Sequence, residues 1–193
     1  MTAPVLDSSF SRRWEAEILS GRPLILPPRH YVYPRDAEEV ERGALEVLVR
    51  PGGGNAGAFL ATCALGFRDP HAPTGVWSAP NGDEMCAVSG GYAYIIDTAQ
   101  PERFTMIPYR PVLAVRPAID ARLLLFVGHR SILAWGPQGQ AWESTKVSDE
   151  GVTISTIEDG VLRGVGWDLL SDKETPFALH LHSGDRLPSD AHG

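Results

Sequence analysis

His180 and His182 lie two positions apart in a stretch, Phe177 to His182, whose pattern predicts a strand. Residues two apart on a strand point the same way. Two imidazoles so placed form a candidate pair of metal ligands. A third ligand would have to come from elsewhere, for example Asp168, Asp172 or His129, and no spacing in the sequence supplies it. The competing reading is an exposed strand face carrying two solvated imidazoles.

Trp135, Trp142 and Trp167, with Glu143 and Asp168 beside them, make a second candidate. Indole rings carry a large apolar face and one N–H donor, and with neighbouring acids they can grip a sugar. Trp135 and Trp142 flank a predicted turn, across which a cross-strand stack is one arrangement open to them. The competing reading is that the rings anchor a core. Carboxylates also gather after Glu143, where pairs of them can serve glycoside hydrolysis or calcium ligation. Most of these sit in predicted turns, which favour Asp for backbone reasons. No EF-hand loop occurs.

Gly52-Gly53-Gly54-Asn55-Ala56-Gly57 satisfies G-x-G-x-x-G after a predicted strand. A dinucleotide site needs a helix next and a second βαβ unit. Phe59 to Leu65 reads better as a strand closing a hairpin, so a loop is expected. No G-x-S-x-G elbow is present. Cys63 and Cys86 are not in a C-x-x-C pair, which removes the redox and zinc-finger readings. No cofactor is expected.

The bulk numbers narrow the field. The 193 residues are 43% hydrophobic and 21% charged, with a formal net charge of −7. An acidic chain repels phosphate backbones, and its only lysines are Lys146 and Lys173, so nucleic acid is not an expected partner. No apolar run approaches the ~20 residues needed to span a bilayer. The first residues lack the basic-then-apolar pattern of a secretory leader, so a cytoplasmic protein is expected.

These side chains must be positioned by strands. From Ala44 onward Leu45, Val47 and Val49 alternate with Glu46, Leu48 and Arg50, a period of two. Further short strands are predicted up to His182, separated by Gly, Asn and Asp turns. Asp159-Gly160 sits between two alternating runs and predicts a type I′ hairpin. Ahead of this region, Ser8 or Ser9 can cap a short helix from Phe10 to Leu19, with Trp14 and Ile18 on one face. Pro23 to Pro34 carries four prolines and reads as an extended arm, and 36–42 as one or two helical turns. The expectation is an all-β protein: an antiparallel sandwich or barrel-like assembly. Residues 1–43 form a helix and Pro-rich arm on a single β domain, 44–193.

Leu123 to Ser144, LLLFVGHRSILAWGPQGQAWES, resembles one repeat of a quinoprotein-type β-propeller: an apolar strand, Val-Gly, a second strand ending near Ala, a Gly-containing turn and a Trp. Glu158 to Asp168 with Phe177 to Asp185, and Met85 to Asp97, echo it more loosely. The resemblance covers about a third of the chain and implies a blade-like unit, not the quinone cofactor. A blade takes roughly 40–50 residues and closed propellers use four or more. A small or incomplete propeller is therefore the alternative to the sandwich.

Without a strong catalytic motif, the expected function is that of a non-enzymatic β domain acting through protein contacts, with a partner protein or a second copy of itself. The alternative is carbohydrate or small-ligand binding, with hydrolysis as an extension, through the Trp-rich surface.

Overall fold

The computed structural model describes residues 4–35, 42–53, 57–69 and 71–188. Its regular structure is β, in several sheets of which none is closed. Among the described residues there is no helix long and apolar enough to cross a membrane. The chain divides into two compact units, Met1–Val112 and Leu113–Gly193.

Among its described residues the first unit holds nine strands: β1 (Val5–Asp7), β2 (Trp14–Ile18), β3 (His30–Tyr33), β4 (Ala44–Pro51), β5 (Phe59–Ala64), β6 (Gly75–Ser78), β7 (Glu84–Ser89), β8 (Tyr92–Asp97) and β9 (Phe104–Met106). They form two sheets, in the orders β2-β4-β5-β3 and β1-β6-β7-β8-β9. Their inner faces share one core. Trp14, Val47, Phe59 and Cys63 come from one sheet, and Met85, Ala87, Tyr94 and Ile96 from the other. Alternation produces this directly, because every second residue of β4 and β7 is apolar and turns inward.

The predicted helix from Phe10 to Leu19 is absent; its centre is strand β2, antiparallel to β4. A spacing of four positions is one helical turn and also two strand repeats. Trp14, Ala16 and Ile18 alternate with Glu15 and Glu17, so the strand buries the same residues and gains a partner for its backbone. The serines do not cap a helix: the Ser9 amide and hydroxyl both donate to the Asp7 carboxylate, at 3.0 and 2.9 Å. Part of the Pro-rich arm is also a strand, β3, parallel to β5. Residues 36–41, where helical turns are expected, lie outside the described residues.

The second unit is built from two meanders. One comprises β10 (Ala114–Ala118), β11 (Leu123–Val127), β12 (Ile132–Gly136) and β13 (Gly139–Glu143). The other comprises β14 (Val152–Glu158), β15 (Val161–Asp168) and β16 (Lys173–His180). Leu125, Ile132 and Trp142 meet Leu162, Phe177 and Leu179 in a common core. The Asp-Gly hairpin forms as expected: Glu158 pairs with Val161, and Asp159 and Gly160 adopt φ of 52° and 73°.

Candidate functional site: a stapled apolar loop

The sequence-based candidates occupy separate places. Trp142 is in the second unit's core, and its indole N–H donates to the Leu181 carbonyl at 2.9 Å. Trp135 is also buried, but on the opposite face of its sheet: Ala134 pairs with Trp142, and the neighbouring residue points the other way. A cross-strand stack of the two rings therefore does not form. Glu143 is exposed and accepts from the Ser131 hydroxyl at 3.1 Å. Trp167 is half-buried, and its backbone carbonyl accepts from the Asp149 amide. The Asp168 carboxylate caps its own turn, accepting from the Leu170 amide and the Ser171 hydroxyl.

His180 ends strand β16, whereas His182 lies beyond it in the turn. Their same-face relationship rested on one continuous strand, which the chain leaves at His180. Among the described residues, no group of three or more His, Cys, Asp or Glu side chains is placed to hold a metal ion. The glycine-rich segment joins two antiparallel strands, β4 and β5, as a hairpin connection. Its residues 54–56 lie outside the described residues.

The first unit holds a constellation that spacing does not announce. Glu46 sits on β4 between two core residues, Leu45 and Val47, so its side chain leaves the other face of the sheet. It is nevertheless only 5% exposed. A buried carboxylate must be paired and hydrogen-bonded to be tolerated. Thr62, directly opposite on β5, donates its hydroxyl to Glu46 Oε2 at 2.6 Å. Arg22 Nε donates to Oε1 at 3.2 Å. His30 Nε2 lies 2.8 Å from the Thr62 hydroxyl oxygen. That oxygen already gives its proton to Glu46, so it accepts from an Nε2–H tautomer. Burial, and then the Arg22 charge, push the His30 pKa below its ordinary value, against the pull of Glu46.

A histidine, a hydroxyl and a carboxylate in a row invite a catalytic reading. The Thr62 hydroxyl is fully buried, however, and its proton is committed to Glu46. A substrate atom has no path to it, and the chain of bonds is structural.

What it holds is the connection between β2 and β3. Arg22 stands at one end of this connection and His30 at the other, and both lean on the Glu46–Thr62 pair. Arg29 adds a second fastening: its Nη1 donates to the Gly57 carbonyl, and its guanidinium lies 5.8 Å from the Tyr31 ring centroid. Between the fastenings run Pro23-Leu24-Ile25-Leu26-Pro27-Pro28. Leu24 and Ile25 are almost wholly exposed, and Leu26 is 44% exposed. Single exposed leucines are ordinary, whereas three consecutive aliphatic side chains displayed on a fixed base are not. The sequence signal was available: an apolar run without alternation, bracketed by prolines. The staple beneath it was not legible, because it joins residues 16 to 32 positions apart.

No family model matches the chain, and no curated protein matches it. Among solved structures, it is similar to BBS1N, a β-propeller-containing protein, in a crystal structure of BBS1N in complex with ARL6DN. The two are 11% identical with a TM-score of 0.39, over 76% of this chain and 47% of the other. The chain thus spans about half the length of that neighbour, and the likeness is weak and partial.

Proposed function

We propose that this chain is a non-enzymatic β module that binds another protein by inserting the Leu24-Ile25-Leu26 loop into an apolar groove of its partner. The observation that carries the reading is the display of these three side chains on a stapled base. Burying a Leu or Ile side chain contributes about 1.5–3 kcal/mol, so three supply a useful docking energy. The flanking prolines and the Glu46 staple hold the loop before contact, which lowers the ordering cost of association.

A lipid surface is the less favoured acceptor. The two arginines that flank the loop are held to Glu46 and to the Gly57 carbonyl, and the chain carries a net charge of −7. Both weaken attraction to anionic lipid. The sugar-binding alternative has less support, because Trp135 and Trp142 are both buried. For the architecture, a two-layer packing of sheets within each unit is the favoured description, supported by cores drawn from both layers.

The test places a photo-crosslinking side chain at Ile25 and compares it with the L24S/I25S/L26S chain. One recurrent crosslinked protein, whose complex with the purified native chain is lost in the triple variant, supports the proposal. Sedimentation identifies the case in which that partner is a second copy. Equal binding by the triple variant, or flotation with neutral vesicles in place of a protein adduct, rejects it.

A further inference from the structure

The sheet β14-β15-β16 of the second unit has two borders, and the chain treats them differently. Along β16 the segment that follows is bonded to the strand: the His180 amide donates to the Asp185 carbonyl and the Leu187 amide to the Ala178 carbonyl, both at 2.8 Å. Among the described residues, β14 pairs with β15 alone. Its sequence, Val-Thr-Ile-Ser-Thr-Ile-Glu, is rich in β-branched residues and holds no Lys, Arg, Pro or Gly. Edges are ordinarily blunted by such residues or by cover. An open edge of this composition pairs readily with another strand.

The free groups can be named. The bonds to Asp185 and Leu187 turn the backbones of His180 and Ala178 away from β15. Their opposite numbers, Val161 and Arg163, therefore bond toward β14, where they meet Glu158 and Thr156. Alternation then points the amides and carbonyls of Ile157 and, past a bulge, of Ile154 outward. The bulge is Ser155, the extra residue between Ile154, opposite Gly164, and Thr156, opposite Arg163. Ile154 and Ile157 pack on the core, and both are only half-buried.

We infer that β14 is the interface of a symmetric dimer, pairing antiparallel with β14 of a second copy of this chain. The occupant follows from self-complementarity. With the two-fold axis between Ser155 and Thr156, Ile154 of one copy meets Ile157 of the other, twice. Each such pair exchanges two backbone bonds and joins half-buried aliphatic chains on the core face. On the solvent face Ser155 meets Thr156, and Thr153 meets Glu158. No like charges oppose one another, and hydroxyl–hydroxyl and hydroxyl–carboxylate pairs are favourable. An unbulged strand cannot pair with itself about a point between two residues, because neighbouring pairs alternate in bonding. The bulge sets the outward-facing Ile154 and Ile157 three positions apart, and so permits it. A border of this length buries less than a standard interface, so the dimer is weak and reversible.

The test is sedimentation equilibrium of the full-length chain, with an expected dimer Kd of about 10–100 μM. S155K/T156K sets like charges opposite one another twice and should weaken the dimer about tenfold, whereas S155E/T156K sets opposite charges there and should restore it. Both positions are exposed, so neither variant disturbs the core. Mild oxidation gives a second reading. A mixture of S155C and T156C chains should form a disulfide-linked heterodimer faster than either variant alone links to itself, while the native thiols Cys63 and Cys86 are buried and take no part. The L24S/I25S/L26S chain should dimerise like the native one, which keeps this interface distinct from the apolar loop. A native chain still monomeric at about 1 mM, a dimer indifferent to S155K/T156K, or cross-linking no faster in the mixture than in the single variants overturns the assignment.

Discussion

Thr62 and Glu46 stand directly opposite one another on β5 and β4, and the threonine hydroxyl donates to the carboxylate at 2.6 Å on the side of the sheet away from the core. Removing either group strands the other. Glu46→Ala leaves the Thr62 hydroxyl and the Arg22 guanidinium without their acceptor, and is expected to cost about 2–3 kcal/mol. Glu46→Gln keeps a neutral acceptor and costs less, about 1 kcal/mol. Urea unfolding gives both numbers. Hydrogen exchange at the Leu19 and Leu60 amides, which bond the Glu46 and Arg29 carbonyls, should quicken in the alanine variant before the rest of the sheet.

The staple also responds to acid. The His30 pKa is held below its ordinary value of 6.5 in the folded chain. As pH falls, the unfolded chain therefore takes up this proton first. The stability that His30 contributes is fully present above the unfolded pKa and is lost as pH falls below it toward the folded pKa. His30→Gln should flatten this part of the stability profile, measured as urea midpoints between about pH 7.5 and pH 5. A profile that is the same in both chains would show that the histidine does not sense the burial described here.

Two glycines separate backbone strain from steric overlap. Gly160 and Gly184 have nearly the same φ, 73° and 74°. A Cβ on Gly160 meets nothing within 4 Å, whereas one on Gly184 lies 2.5 Å from the Trp142 ring. Gly160→Ala should cost about 1 kcal/mol for the left-handed backbone alone. Gly184→Ala should cost about 1–3 kcal/mol more, because the ring is fixed by its bond to Leu181 and cannot retreat. Thermal unfolding of the two variants side by side measures the difference.

Cys63 and Cys86 are free and buried, and burial pushes both thiols well above their ordinary pKa. The native chain should therefore resist iodoacetamide at neutral pH, with both sites labelled once urea unfolds it. Intact mass is the measurement. Rapid labelling of either thiol in the native state contradicts the packing of β5 or β7.

Strand content from Ala44 onward was legible because alternation and turn residues act locally: Leu45, Val47 and Val49 mark Ala44–Pro51, and Asp159-Gly160 marks the turn between Val152–Glu158 and Val161–Asp168. The segment Trp14–Ile18 was misread because its apolar spacing is common to both periodicities, and only the partner strand β4 decides between them. The candidate sites were less legible for a related reason. His30 meets Thr62 across 32 positions, and Arg22 meets Glu46 across 24. A glutamate in the middle of an alternating strand looks like any solvent-facing residue until the chain that covers it is placed.

The opening strand has its own consequence. Val5–Asp7 lies parallel along β6 and seals that border of a five-stranded sheet. Without these few residues, Gly75–Ser78 would present a bare row of amides and carbonyls, an invitation to pairing between molecules. Preparations that trim the amino end should therefore self-associate, and the colloidal behaviour of the whole protein depends on a ribbon three residues long.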